Sequence, residues 1–338
     1  MPISTAHRWW ICFSTILIVY ALCGVIRAAE VGDRVIRTGD EIVVCGEFFH
    51  TTAPVVLWMQ PEGYDAYRVE RLFSPIDKAD WKETLKEVKL DSPNRYGIRK
   101  DTLTPEQLEK VRGGGWDLPL LREVVDQFVM HYDVCGTSET CFKVLHDRRG
   151  LSVHFMLDVD GTIYQTLDLK ERAWHATISN SRSIGIEIAS IGAYTEKQKD
   201  VLDEWYGTDE SGVVHLKPPR KVSRFGLRTK PFLGHPARPN LVEGNIQGVD
   251  LYQYDFTPQQ YDSLIKLTAT LCRVFPKIQC CYPRDAEGKL IPHMLTEQEW
   301  KDFHGVLGHY HVQLNKTDPG PAFDWQKVIC GAQKLLNK

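Results

Sequence analysis

Little net charge, no His-Glu-x-x-His segment and no internal repeat characterise this 338-residue chain, and each absence removes a class of function. Lys and Arg number 41 against 44 Asp and Glu, a formal charge of −3. A general nucleic-acid binder is basic overall or along one face, so no nucleic-acid partner is expected. Without His-Glu-x-x-His there is no helix carrying two zinc ligands one turn apart with a glutamate between them, the common metalloprotease layout. Without a repeat there is no solenoid or propeller. What remains is ordinary globular composition, 43% hydrophobic and 25% charged, in a chain long enough to bury a full core.

The N-terminus points to export. His7 and Arg8 precede an apolar run from Trp9 to Ile26, and the small residues Ala28 and Ala29 follow. That order reads as a secretory signal peptide over residues 1–29. The run is also long enough for an uncleaved signal anchor, which would give the protein membrane contact through this segment. Tyr20, not leucine, stands three residues before Cys23, so a lipoprotein is not expected. The expected location is the periplasm, the cell envelope or the extracellular space. Of the nine cysteines, Cys12 and Cys23 lie in this leader. The odd number left leaves at least one thiol unpaired if the others bridge. Cys135 and Cys141 are close enough for a local bridge, whereas the adjacent Cys280 and Cys281 can hardly pair with each other.

Beyond the leader, 40–46 and 53–58 read as short strands between turn residues. Thr104 before Pro105 caps a helix, and Gly113-Gly114-Gly115 marks a joint. Residues 30–115 are therefore expected to form a small β-rich appendage without an assigned role, and 116–338 the catalytic domain. In the latter, 127–131 is an apolar strand ending in His131, and 140–145 has helical spacing. Residues 152–158 alternate, and Asp160-Gly161 turns the chain into a second strand at 162–167. A further strand covers 183–189. Helices start at Thr257 and after Pro321. Strands alternating with helices give the α/β class, a mixed central β-sheet flanked by helices. A long insertion of weak periodicity runs from about 206 to 255. Between Lys217 and Arg238 it has seven basic residues and no acidic one. This is either a solvated insertion or a contact for anionic wall polymer or lipid headgroups, with Phe225 and Phe232 as anchors.

Chemistry concentrates between Gly308 and Pro321, where His309, His311, Lys316 and Asp318 precede a Pro-Gly-Pro turn. Imidazole and carboxylate suit a divalent metal, and a catalytic zinc takes three protein ligands and keeps one position open. A lysine between ligands can neutralise charge developing on a substrate oxygen. The segment therefore has the parts of a metal-dependent hydrolase site, and it needs one more ligand from elsewhere. Glu187, in the apolar strand 183–189, is costly to bury without work or a partner, unless it faces outward.

Five stretches stand in one order: Ser152-Val153-His154-Phe155, Asp160 to Gln165, Arg172-Ala173-Trp174-His175-Ala176, Ser183 to Glu187, and Lys316 to Trp325. With them, the chain resembles the zinc-dependent N-acetylmuramoyl-L-alanine amidases of the type 2 family, which includes the peptidoglycan recognition proteins. The resemblance runs from about Phe128 to Val328. It implies one zinc ion held by His131, His309 and Asp318, with Glu187 as general base and Lys316 facing the scissile carbonyl. It implies that Trp174, His175 and Asn180 line the substrate groove, and that Cys135 and Cys141 form a disulfide. The implied reaction is hydrolysis of the amide between N-acetylmuramic acid and L-alanine in peptidoglycan or muropeptides. Compared with the family's common pattern, the step from His309 to Lys316 is one residue short. His311 stands where aspartate is frequent and could compete for the metal. His154 reads as a packed strand residue, and His146, His215, His235, His293 and His304 as surface or core residues. The competing readings are a module that binds peptidoglycan without cutting it and a zinc amide hydrolase for another substrate.

Overall fold

The structure is a computed structural model that describes residues 30–68, 96–217, 219 and 227–338. The leader and Phe225 lie outside the described residues. Two units are present, Met1–Ile36 and Arg37–Lys338. The described part of the first, 30–36, is irregular and exposed.

Among the described residues the second unit has twelve strands. They are β1 (Glu41–Val44), β2 (Glu47–His50), β3 (Val55–Leu57), β4 (Gln127–Tyr132), β5 (Phe155–Leu157), β6 (Ile163–Gln165), β7 (Ser183–Ile188), β8 (Tyr206–Thr208), β9 (Val214–Leu216), β10 (Val242–Ile246), β11 (Val249–Gln253) and β12 (Gly305–Gly308). Six of them form one mixed sheet in the order β12-β4-β7-β5-β6-β3. Every pair in it is parallel except β5 with β6. The α/β class read from the sequence is the observed one.

Strand alternation divides the sheet into two faces. Phe128 and Met130 of β4, with Ile184 and Ile186 of β7, join one core with Leu264, Leu267, Val328 and Ile329. Those last four belong to the helices Pro258–Val274 and Trp325–Leu336. Val129 points the other way, into a cluster with Ala176, Leu295 and Leu307. His131 and Glu187 share the Val129 face by the same period of two. Covered on both sides, β4 reads as a continuous apolar run, as central parallel strands do. The helix at Pro258 begins where its local signals place it: Thr257 and Gln260 exchange side-chain bonds with each other's backbone N–H, and Pro258 occupies the first turn.

The small N-terminal strand pair expected from the sequence is present as β1 with β2, and the segment that carries it is joined to the main sheet. β3 pairs in parallel with β6, and Ile42, Val44, Val55 and Leu57 belong to the same core as Phe128. Gln165 ties this segment in, accepting from Val43 N–H at 2.8 Å and donating to Val43 O at 2.8 Å. Gly113–Gly115 is a turn between two helices, Pro105–Arg112 and Leu118–Val124, of one compact unit. Period-two alternation reveals a strand but not the strand it pairs with. The insertion also has more order than its sequence suggests, since β8–β9 and β10–β11 are antiparallel hairpins. Phe232 packs, half-buried, beside Val159, Ala189 and Leu227. Among the described residues no helix is long and apolar enough to cross a membrane.

Arg99 is fully buried. Its guanidinium donates to the carbonyls of Leu169, Asn180, Ser181 and Ser183 at 2.9 to 3.3 Å. Truncation would strand several of these acceptors away from water, each at about 1–3 kcal/mol. Arg99→Ala is expected to lose about 3 kcal/mol or more, read as a lowered denaturant midpoint at unchanged slope.

Candidate metal centre

Because β12, β4 and β7 are adjacent and parallel, their C-terminal ends reach the same edge of the sheet, where open α/β sheets place their sites. His131 is the penultimate residue of β4 and stands in register with Glu187 of β7. His309 follows β12 directly, in the short turn His309–His311. Asp318 returns from the next loop, whose carbonyl at 318 accepts from Tyr310 N–H at 3.2 Å. The Pro-Gly-Pro turn is pinned by Gln253, which donates to Pro319 O at 3.1 Å and accepts from Ala322 N–H at 2.9 Å. Gly320, at φ +86°, fits there because a Cβ would lie 2.2 Å from the Gln253 side-chain oxygen.

His131 Nδ1, His309 Nδ1 and Asp318 Oδ2 form a triangle with every edge 2.9 Å. The three residues are 2%, 5% and 7% exposed. Two imidazole nitrogens and a carboxylate oxygen at this spacing cannot all satisfy one another: two protonated nitrogens set their N–H groups against each other, and with one proton or none a nitrogen lone pair faces the carboxylate oxygen. A cation among them removes the conflict, and the donor set suits zinc. Burial alone raises the Asp318 carboxyl, but His309 and His131 outweigh this and hold it below the usual carboxylate range. Burial, then His309, pushes His131 down to about 4. Both groups thus stand ready as ligands at neutral pH, the carboxylate ionised and the imidazole neutral.

A cavity of about 150 Å3 opens beside the triangle, lined also by Glu187, Lys316 and Trp174. Burial above all, then the nearby Asp318 and Asp133, raises the Glu187 carboxyl well above its ordinary range. The Lys316 ammonium makes no hydrogen bond or ion pair with any of the described residues. Despite the short step from His309, it reaches the same cavity as the triangle.

The structure corrects several other expectations. His311 is fully buried and spent: its Nδ1 accepts from Gly308 N–H at 2.9 Å and its Nε2 donates to Ile291 O at 2.8 Å. It does not compete for the metal. Asn180 is buried, with its Oδ1 accepting from the N–H groups of His175 and Ala176, so it shapes the loop and is not among the residues lining the cavity. His175 lines the cavity, but its ring is turned onto His131. Trp174 lines the cavity, with the Arg172 guanidinium 4.2 Å from its ring centroid. Cys135 and Cys141 are free thiols here, hydrogen-bonded to each other, and both line the cavity. His154 is packed, as expected, and none of His146, His215, His235, His293 and His304 lines the cavity. The sequence reading missed Tyr132, whose hydroxyl meets Thr317 Oγ1 at 2.6 Å beside Asp318, and the cavity-lining Arg149. Tyr132 follows His131 on the same strand, which was its only signal.

Residues 121–321 match the family described as N-acetylmuramoyl-L-alanine amidase. Comparison with curated proteins finds no match. Among solved structures, the chain is similar to a selenomethionine derivative of AmpD at 19% identity and a TM-score of 0.32, over 72% of this chain and 92% of that one. It is similar to the endolysin amidase LysCS from Clostridium intestinale URNW at 17% identity and a TM-score of 0.32, over 63% and 86%. It is also similar to the E. coli amidase AmiD, solved with anhydro-N-acetylmuramic acid-L-Ala-D-gamma-Glu-L-Lys, at 18% identity and a TM-score of 0.34, over 61% and 57%.

Equilibrium dialysis against zinc is expected to find one ion per chain. His131→Ala, His309→Ala and Asp318→Ala should each lose it, while His311→Ala should keep it at some cost in stability. Retention by any of the first three, or loss in the fourth, would rule out this ligand set.

Proposed function

The chain belongs to the N-acetylmuramoyl-L-alanine amidase family, and from that premise we propose that it is a zinc-dependent enzyme cutting the amide between N-acetylmuramic acid and L-alanine in peptidoglycan or its muropeptides. The observation that carries this reading is the buried His131, His309 and Asp318 triangle opening on a cavity that is also lined by Glu187 and Lys316. Zinc bound by these residues would supply Lewis acidity, lowering the pKa of a water and polarising the scissile carbonyl. Glu187 takes the proton of the attacking water and delivers it to the departing L-alanine nitrogen. Its apolar strand keeps the carboxyl basic enough to accept that proton. Lys316 donates to the oxygen that becomes negative as the carbonyl turns tetrahedral, and this interaction is stronger in the transition state than in the ground state. Trp174 offers an aromatic face for the sugar. The products are a glycan and a free stem peptide.

The export signals agree with this substrate, which lies outside the cytoplasmic membrane. The rival reading, a module that binds peptidoglycan without cutting it, leaves Glu187 and Lys316 without a task. Muropeptides incubated with the zinc-loaded protein decide between the two: release of stem peptide is expected, and tight binding without release would refute the enzyme.

Glu187→Gln is expected to lower kcat by about 10²–10⁴ and to remove the acid limb of the pH–rate profile. In the parent protein that limb should lie above the ordinary glutamate pKa of about 4.3, because activity needs the ionised carboxylate. The sign for stability is opposite. A raised folded pKa means the folded state holds the proton longer, so stability falls as pH climbs from the unfolded toward the folded pKa. Metal-free Glu187→Gln should therefore be more stable than its parent at neutral pH, visible as a higher Tm. Lys316→Met should lower kcat by about 10²-fold or more with a smaller change in KM.

A further inference from the structure

His175 sits against His131, and tracing the protons shows what it does there. His131 turns Nδ1 toward His309 and Asp318, each 2.9 Å away. Its other nitrogen, Nε2, lies 3.0 Å from His175 Nδ1. A nitrogen that gives its lone pair to a cation carries no proton, so the single proton of a neutral His131 must sit on Nε2. Nε2–H then donates to His175 Nδ1. This in turn places the His175 proton on Nε2, which lies 3.3 Å from Ser183 Oγ. Every proton is assigned once, and no tautomer is left in conflict.

The surroundings hold His175 in this pose. Its ring lies edge-on to His131, with centroids 5.2 Å apart at 85°. It occupies the space that Gly185 leaves over β7, where a Cβ would come within 2.4 Å of His175 Nδ1. Behind it stands His154, fully buried, its ring edge-on at 5.8 Å. His154 is itself held in place, with Nδ1 accepting from Gly185 N–H at 3.1 Å and Nε2 lying between Glu171 O at 2.9 Å and Arg99 Nη2 at 3.0 Å. Asn180 Oδ1 secures the backbone by accepting from His175 N–H at 3.0 Å and Ala176 N–H at 2.7 Å. The other imidazole of the triangle has no such support among the described residues, where the buried His309 Nε2 finds no hydrogen-bond partner.

We infer that His175 is a positioning residue for His131, accepting its outer N–H and so fixing both the tautomer and the ring angle with which His131 meets a metal. The role rests on the reading of His131 as a ligand, and it replaces the substrate contact expected from the sequence. A hydrogen-bond acceptor behind a ligating histidine orients the ring and raises its basicity, and losing one typically costs 10–100-fold in metal affinity or activity.

The test is zinc affinity measured by competition with a chromophoric chelator, on parent protein, His175→Phe and His175→Asn, each first loaded and then stripped. Phenylalanine fills the space of the ring but accepts nothing. Asparagine can place its side-chain oxygen near the lost Nδ1. His175→Phe is expected to bind zinc about 10–100-fold more weakly, and His175→Asn to recover most of that loss. If the phenylalanine variant does not fold, His175→Ala should show the same weakening, with added imidazole restoring affinity. Residual muropeptide hydrolysis at saturating zinc should show lowered kcat with KM little changed. Zinc affinity equal to the parent's in the Phe or Ala variant, with a raised KM, would overturn the inference in favour of a substrate contact. A parent protein that binds no zinc would instead overturn the metal reading itself, so the two failures are distinguishable.

Discussion

Parallel pairing of β12, β4 and β7 is the constraint on which the rest of the site depends. Parallel neighbours must end on the same side of the sheet, so three segments far apart in sequence deliver His309, His131 and Glu187 to one edge. Strand periodicity then chooses the face. Even-numbered residues of β4 and β7 enter the core beneath the two long helices, which sends His131 and Glu187 to the opposite face. The loop carrying Lys316 and Asp318 has only to fold back over that edge, and Gln253 holds it there.

Such an edge gathers charge at a cost. Glu187, Asp133 and Asp158 are all raised, each chiefly by burial, as carboxyls removed from water are. Asp318 goes the other way because two imidazoles stand against it. Two carboxylates near one cavity thus differ in basicity: Asp318 is held ionised, as a metal ligand would need, and Glu187 is held more basic, as a proton acceptor would need. Environment makes that division, because the side chains themselves are nearly alike. The hydrogen-bonded file from His131 through His175 to Ser183 has the same logic, with each group's protonation set by its neighbour.

Much of this was legible in the sequence, and for local reasons. The apolar run at 127–131, the cap at Thr257 and the Asp160-Gly161 turn carry their signals within a few residues, and the elements formed there. His131, His309 and Asp318 stood out by residue type and by resemblance, and they converge. The failures are of another kind. Val55–Leu57 was visible as a strand, yet its place beside β6 was not. Asn180 and His311 carried plausible site chemistry but spend it on backbone groups. Arg99 gave no signal at all, although its guanidinium joins carbonyls 70 to 84 residues away.

The division follows from the range of the forces. Periodicity, capping and turn preference act over a few residues, so the sequence alone determined which segments become strands and helices and which ligating groups they carry. Whether a histidine binds a metal, orients another histidine or satisfies a carbonyl depends on what lies within about 3 Å of each ring nitrogen. For His131 those neighbours are 44, 178 and 187 residues away. Only the tertiary structure decided that His309 completes the triangle, His175 stands behind it and His311 is withdrawn into the core.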